Sequence, residues 1–211
     1  MQICAFNTYL RLRDQHLLRS PKNASTQMID PRSCCSSLRI GESFGLEVED
    51  FIIDDTLHVR RAIWNGIAFS PKTEAGFRMV DLSPELSKAL RRFIGDRLSG
   101  YIFRNERGRP LQQSNLLQRS LHPILKTIGI KQQGFHGFRR FRVTHLRKQR
   151  VAEDLIRLWI GHSSGQTTTD GYVRIADDEQ FRQFSVEQAG IGFQLTIALL
   201  APRCSPQFGD P

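Results

Sequence analysis

The segment that most constrains this chain is residues 135–150, FHGFRRFRVTHLRKQR. It contains six Lys and Arg side chains and no acid. Apolar residues recur between the cations at helical spacing, which predicts a helix from His136 to Gln149. A helix face that only meets solvent does not require such a concentration of positive charge, so the pattern favours an anionic partner. The interleaved apolar residues are Phe138, Phe141, Val143 and Leu146.

The whole chain has the same bias in charge. Thirty Lys and Arg against 21 Asp and Glu give a formal net charge of +9, which favours nucleic acid over a membrane surface as the partner. A hydrophobic content of 39% is enough to form a core and argues against disorder. No secretory signal or apolar run of about 20 residues is present, so we expect a soluble, cytoplasmic protein without a membrane partner.

The cysteines indicate neither a metal site nor a disulfide framework. Cys4, Cys34, Cys35 and Cys204 form no C-x-x-C pair and no regular set of spacings. Reduced thiols are the simplest interpretation, and we expect no metal.

Periodicity predicts an α/β (α+β) fold, mostly helical with a small antiparallel sheet. Between Phe51 and Leu82, short β-branched and aromatic runs alternate with turn residues, and Asn65-Gly66 predicts a type I′ hairpin. Helical patterns lie on both sides of this region, and Tyr172 falls in a short turn of helix. The predicted helices cover residues 33–46, 84–94, 114–128, 136–149, 152–160 and 177–189.

His136 and Arg139 are the first candidates for chemistry. They lie one helical turn apart and therefore on one face. The planar guanidinium of Arg139 could bind two phosphate oxygens at once. The H-x-x-R motif is weak on its own, so this pair predicts an anion site without proving one.

Other candidate residues each have a plain structural interpretation. Arg39 could be only the partner of Glu42 at i+3, and Lys72 could be a solvated loop lysine between two strands. Gly161-His162 reads as a glycine that ends a helix followed by a surface histidine. Tyr172 could be a packed ring with a bonded hydroxyl.

The ordered combination is more specific than its parts. SSLRIGESFGLEVEDF, then PKT between strands, then HGFRR, then GHSS with a tyrosine ten positions after its histidine, resembles the catalytic domain of tyrosine recombinases, the phage integrase family. The resemblance runs from Leu38 to Arg174. It implies a catalytic domain over residues 33–189, preceded by a divergent or truncated segment, 1–32, and followed by an irregular tail, 190–211.

The resemblance also implies a mechanism of DNA cleavage and rejoining without a cofactor. Two arginines and two histidines would bind the scissile phosphate, the tyrosine would attack it, and the lysine would protonate the leaving 5′ oxygen. A covalent 3′-phosphotyrosine would then allow rejoining without ATP. The implied catalytic residues are Arg39, Lys72, His136, Arg139, His162 and Tyr172.

The implied partner is double-stranded DNA, bound by a homo-oligomer that forms a tetramer on paired sites. We expect further DNA contacts from the basic helix, through Arg140, Arg142, Arg147 and Lys148.

Three alternatives remain open from the sequence. The chain could be a DNA-binding remnant that no longer cleaves, or a monomeric enzyme of the type IB topoisomerase kind. The third is a metal protein that uses His136, His145 and His162, for which the cysteines are badly placed.

Overall fold

The computed structural model of the protein describes residues 37–52, 55–71, 76–162 and 175–192. Predicted elements in the other segments, including the turn near Tyr172, lie outside the described residues. The helices are α1 Ile40–Gly45, α2 Pro84–Ile94, α3 Gln113–Leu116, α4 His122–Thr127, α5 His136–Lys148, α6 Glu153–Ile160 and α7 Glu179–Ala189. The strands are β1 Phe51–Ile52, β2 Thr56–Val59, β3 Ala62–Trp64, β4 Ile67–Phe69 and β5 Arg78–Asp81.

The strands form two small antiparallel sheets, where the sequence predicted one. The larger sheet has the order β1-β2-β5, so β2 is central, and Leu57 of β2 pairs with both Phe51 and Val80. Leu57 and Val80 are buried, which gives this sheet one face against the core. Strands β3 and β4 pair only with each other among the described residues, as a separate ribbon.

The turn between β3 and β4 confirms the predicted hairpin. Asn65 and Gly66 both have positive φ, 48° and 80°. Two successive positive φ angles define a type I′ turn, which Asn and Gly adopt at the lowest steric cost.

Helix α6 packs deeply beside the sheet. Leu155, Ile156 and Trp159 are at most 1% exposed, and α6 packs against β5 and α5. Burial of each such side chain contributes roughly 1.5–3 kcal/mol. The end of α6 is therefore held firmly in the molecule, which matters because the candidate site forms there.

Helix α1 is shorter than predicted. Ser37 has φ 69°, and Arg39 is extended with ψ 149°, so neither continues a helix. The Glu42 carboxylate accepts a hydrogen bond of 2.8 Å from the backbone N of Arg39, which caps the helix at Ile40. This local bond was not visible in the hydrophobic pattern, which predicted a helix from residue 33.

The predicted helix 114–128 is also interrupted. It begins at Gln113, passes through a π-helical turn at Leu117–Leu121, and continues as α4. Pro123 has no backbone N–H for the carbonyl of Arg119, four residues earlier, which lies in the π turn. The helix ends before Gly129, whose φ is 69°, as predicted.

No helix within the described ranges has both the length and the apolar character needed to cross a bilayer.

Candidate active site

The candidate active site forms at the carboxyl end of α6. Gly161 ends the helix in the left-handed conformation, with φ 62°. The last carbonyls of an α-helix have no donors in the helix itself and carry partial negative charge. Here they accept from arginine side chains, so the end of α6 gathers cations from three other segments of the chain.

Three arginines bind three successive carbonyls. Arg78 Nε donates to the carbonyl of Trp159 at 2.9 Å, and Arg39 Nη2 donates to that of Gly161 at 3.5 Å. Between them, Arg139 Nη2 donates to the carbonyl of Ile160. Residues separated by up to 122 positions in the sequence therefore lie side by side.

Glu42 is the acid within this cluster. Its carboxylate accepts from Arg78 at 2.9 and 3.3 Å and from Arg39 Nη1 at 2.8 Å. Burial raises the pKa of Glu42, but the bonds and charge of Arg78, with those of Arg39, outweigh it and hold the pKa below its ordinary value of 4.5. One carboxylate therefore orients two guanidinium groups and stays ionised.

Arg139 is the most enclosed of the four candidate catalytic residues that the structure describes. It is 5% exposed, and its Nη1 donates to the carbonyl of Ser37. Burial, followed by the charge of Arg39, lowers its pKa to about 10. A group with that pKa remains protonated at neutral pH, so Arg139 keeps its charge while the protein fixes its orientation.

The two candidate histidines lie at the ends of helices. His162 follows Gly161, is exposed, and donates its backbone N–H to the carbonyl of Arg157 at 3.2 Å. Partial burial and then the charges of Arg139 and Arg39 lower the pKa of His162 below its ordinary 6.5. His136 is the exposed first residue of α5, one turn before Arg139. Arg39 and Arg139 bind the carbonyls of Gly161 and Ile160, so both guanidiniums lie beside the backbone that leads directly into His162.

The cluster as a whole is positive. Two guanidiniums bind a single carboxylate, a third lies beside them on the carbonyl of Ile160, and the Arg39 side chain is 49% exposed. A positive, partly accessible cluster with fixed donors is suited to binding an anion whose charge grows during a reaction.

Gly161 is required by space as well as by conformation. A Cβ at this position would lie 2.7 Å from Nη1 of Arg78. The sequence correctly indicated a glycine that ends the helix, but it did not show that an arginine packs against the glycine.

Arg78 is the member of this cluster that the sequence analysis missed. It lies in β5 among apolar residues, and its side chain is 2% exposed. A buried arginine in a strand has no sequence motif, and the acidic partner Glu42 was assigned to Arg39 alone. The only available signal was an arginine at a core position of a predicted strand.

Strand β5 also carries Asp81, which holds helix α7. Asp81 accepts from Trp159 Nε1 at 2.7 Å and from Arg182 Nε at 3.1 Å. Arg182 Nη1 also donates to the carbonyl of Ala176. Helix α7 is thus joined to the strand and to α6.

Two of the six candidate catalytic residues, Lys72 and Tyr172, lie outside the described residues. The structure brings Arg39, Arg139 and His162 together and places His136 on the same helix as Arg139.

The four predicted DNA-contact residues of α5 differ in their surroundings. Arg140 and Lys148 are exposed. Arg147 is exposed and pairs with Glu153 at 2.5 Å, a bond that raises the arginine's pKa. Arg142 is 3% exposed, and its Nη1 donates to the carbonyl of Gly190 after α7. In this position Arg142 binds the backbone at the end of α7 and does not face solvent.

The histidines of the metal alternative do not converge. His145 bonds the carbonyl of Ala189 at 2.7 Å and stacks on Phe141, whereas His162 lies at the arginine cluster. Within the described ranges, no group of three or more His, Cys, Asp or Glu side chains is placed to hold a metal ion.

Comparison with known proteins identifies the family. The sequence profile of the Phage integrase family matches residues 33–179, well over half of the chain. The chain therefore belongs to the phage integrase family, the tyrosine recombinases, as its ordered motifs indicated. A curated relative, the Prophage ps2 probable integrase of Lactococcus lactis subsp. lactis (strain IL1403), is 30% identical over 161 residues, covering 66% of this chain and 42% of the relative.

Solved structures of similar proteins confirm the fold. The Tn1549 transposon integrase, in complex with circular intermediate DNA, matches with a TM-score of 0.55 at 20% identity, over 71% of this chain and 55% of that one. The XerA recombinase matches with a TM-score of 0.53 at 18% identity, over 91% of this chain and 59% of that one. The chain spans less than two thirds of each of these proteins.

Proposed function

We propose that this chain carries the catalytic domain of a site-specific recombinase or integrase, which cleaves and rejoins DNA through Tyr172. The observation that supports the proposal most directly is the convergence of Arg39, Arg139 and His162 at the end of α6. These three residues lie in segments that are distant in the sequence, and they follow the order of the family's motifs. The excess of positive charge around them is suited to binding a phosphate.

The arginines would stabilise the transition state. Attack on a phosphodiester builds negative charge on the non-bridging oxygens, and donors fixed beforehand stabilise that charge more than they stabilise the ground state. Carbonyl and carboxylate partners already orient Arg39 and Arg139, so little reorganisation is needed when the phosphate binds. The neutral form of His162, favoured by its lowered pKa, can donate or accept a hydrogen bond at the same phosphate.

Tyr172 would be the nucleophile and Lys72 the general acid, by family resemblance. The phenolic oxygen forms a bond to phosphorus while the bond from phosphorus to the 5′ oxygen breaks. Lys72 gives a proton to that 5′ oxygen, and His136 takes the phenolic proton. The product is a 3′-phosphotyrosine and a free 5′ hydroxyl. Attack by a second 5′ hydroxyl reverses the step and rejoins the strands.

Double-stranded DNA is the proposed partner, and exposed cations of α5 would contribute contacts outside the reacting phosphate. Arg140 and Lys148 are exposed on this helix. Binding through phosphates should weaken steeply with salt. We further propose a tetramer on paired sites, because that is how the family exchanges strands.

The decisive experiment is detection of the covalent intermediate. A nicked suicide duplex library, in which the cleaved fragment diffuses away, should trap a protein-linked strand with the wild-type chain. Tyr172→Phe should bind the same DNA without forming the adduct. If both proteins bind and neither forms an adduct, the chain binds DNA without cleaving it. Relaxation of plasmids by a monomer without sequence preference would favour a topoisomerase instead.

A further inference from the structure

The Arg78 guanidinium binds three separate segments of the chain at once. Its Nε donates to the carbonyl of Trp159 at 2.9 Å, and its Nη2 donates to the Glu42 carboxylate at 2.9 Å. Its Nη1 donates at 3.3 Å to the other oxygen of Glu42 and to the carbonyl of Gly76. A planar guanidinium presents five N–H donors in a fixed geometry, so one side chain can hold acceptors from several segments. Arg78 therefore joins the end of α6, helix α1 and the backbone just before β5.

The Arg78 side chain is held in one orientation. It is 2% exposed, and it packs against Gly161, where a Cβ would lie 2.8 Å from Cζ of Arg78. Two of its bonds are to the carboxylate of Glu42, and hydrogen bonds between charged groups are the stronger kind. The position of Gly76 relative to the end of α6 is therefore set by a rigid, buried side chain.

Gly76 contacts Pro71 at the base of the connection between β4 and β5. A Cβ on Gly76 would overlap with Cβ of Pro71, so the two residues approach too closely for a side chain between them. Residues 72–75, which connect them, lie outside the described residues. The two ends of this connection therefore lie together, and Arg78 holds one of them through the carbonyl of Gly76.

This base matters because Lys72, the proposed general acid, follows Pro71 directly in the sequence. In the proposed reaction the Tyr172 oxygen bonds to phosphorus, the bond from phosphorus to the 5′ oxygen breaks, and the Lys72 ammonium gives that oxygen a proton. Proton transfer requires the donor within hydrogen-bond reach of the oxygen, about 2.6–3.2 Å. The lysine and the arginines must therefore be positioned relative to the same phosphate, although they come from different segments.

We propose that Arg78 is a positioning residue that fixes the base Pro71–Gly76 against the phosphate site and so governs protonation of the leaving 5′ oxygen. The inference rests on the proposed function, because Arg78 acts on the reaction only through Lys72 and the phosphate-binding arginines. It assigns to a buried arginine of the core an effect on one particular proton transfer.

A leaving group that needs no proton separates this role from general support of the site. Sulfur in place of the bridging 5′ oxygen leaves as a thiolate, and because a thiol ionises at about pH 8.5, proton donation contributes little. The sulfur is placed at the cleavage position, which sequencing of the wild-type adduct identifies. The measured quantity is the ratio of the single-turnover rate of adduct formation on the sulfur duplex to the rate on the oxygen duplex. Loss of folded protein or of phosphate stabilisation lowers both rates and leaves this ratio unchanged.

Two substitutions test the role from different sides. Arg78→Lys keeps a positive charge beside Glu42, but an ammonium cannot hold all three segments in the geometry of the guanidinium. Gly76→Ala leaves Arg78 in place and forces Pro71 away from the base. Circular dichroism confirms folding, and if Arg78→Lys does not fold, Gly76→Ala alone decides.

Each substitution has a matched control. Arg182→Lys changes another buried arginine, with 5% of its side chain exposed and with carboxylate and carbonyl partners of its own. Gly134→Ala adds a Cβ that meets no other atom within 4 Å. Lys72→Met, which removes the proposed acid, gives the ratio expected when proton donation is lost.

General acid catalysis contributes about 10²–10⁴-fold, so Lys72→Met should raise the ratio by about that factor. Arg78→Lys and Gly76→Ala should each raise it by about tenfold or more, because the acid remains present but is misplaced. Arg182→Lys and Gly134→Ala should keep the wild-type ratio.

A wild-type ratio in Gly76→Ala or in folded Arg78→Lys would overturn the inference, as would a raised ratio in either control. Absence of an adduct from the wild-type chain would defeat the proposed function itself. A wild-type ratio in Lys72→Met, with a normal adduct from wild type, would remove Lys72 as the acid and the inference with it, while leaving cleavage by the chain established.

Discussion

Strand β5 carries two buried charged residues three positions apart. The hydrogen-bond networks around them differ in net charge and in access to solvent. Arg78 joins Glu42 and the end of α6, where Arg39 and Arg139 also lie. Asp81 joins Trp159 and Arg182 and is fully enclosed, with 0% of its side chain exposed. The first network has cations in excess and reaches solvent; the second pairs one acid with one base.

The difference shows what distinguishes a binding network from a structural one. Both sets are buried beside the same strand, so burial alone does not identify function. The Arg78 network retains uncompensated positive charge and an accessible arginine, and an anion would complete it. The Asp81 network is already balanced and holds α7 in place.

The largest expected effect is on catalysis and separates the two networks. Arg139→Lys should lower the rate of adduct formation by about 10²–10³-fold, because an ammonium cannot replace a forked donor that stabilises the transition state. Arg182→Lys, the matched change in the Asp81 network, should leave the rate per folded molecule near that of wild type. Single-turnover trapping on a suicide duplex measures both. A near-normal rate for Arg139→Lys would remove its role as a phosphate clamp.

The next effect is on stability and should be shared by the networks. Glu42→Gln and Asp81→Asn should each lower the free energy of unfolding by about 3–5 kcal/mol, because each leaves a buried arginine without its charged partner. Urea denaturation measures the loss. In addition, only Glu42→Gln should alter adduct formation per folded molecule, since Glu42 orients Arg39. Equal effects of the two substitutions on adduct formation would contradict the assignment of catalysis to the Arg78 network and of a purely structural role to the Asp81 network.

A smaller expected effect is on the stability of the folded chain at acidic pH. The pKa of Glu42 is lower in the folded chain than its ordinary value of 4.5, so its ionised form favours the folded state. That contribution is fully present above about pH 4.5 and is lost as pH falls through the folded-state pKa. Urea titrations from pH 6 to pH 3 should show a steeper loss of stability for wild type than for Glu42→Gln. Parallel curves would contradict a lowered pKa.

The smallest expected effect is on the pKa of His162. It tests whether the arginines at the end of α6 act on this histidine electrostatically. Because Arg39 contributes to lowering the pKa of His162, Arg39→Gln should raise the pKa of that histidine. NMR titration of the imidazole resonances measures the change. Arg182→Gln, in the other network, serves as the control and should leave His162 unchanged; a shift there and none with Arg39→Gln would place His162 outside the cluster.

Much of the fold could be predicted because its signals are local. The period of α2, the positive φ at Asn65-Gly66 and the glycine after α6 follow from neighbouring residues. The start of α1 could not be predicted, because a hydrogen bond between Glu42 and the backbone of Arg39 begins the helix later than the hydrophobic pattern indicates. The same limit applies to the division of the strands into two sheets, since pairing joins segments distant in the chain.

For the site, the sequence by itself determined the family and the order of its motifs, and with them the expectation that Arg39, Arg139 and His162 act together. Only the tertiary structure decided how they meet. The free carbonyls at the end of α6 attract donors from any part of the chain, and which donors arrive depends on packing and not on spacing. Arg78 reaches the end of α6 in this way, and packing likewise turns Arg142 toward the carbonyl of Gly190 at the end of α7. A helical sequence pattern reports one helix at a time, whereas a charge network exists only between elements.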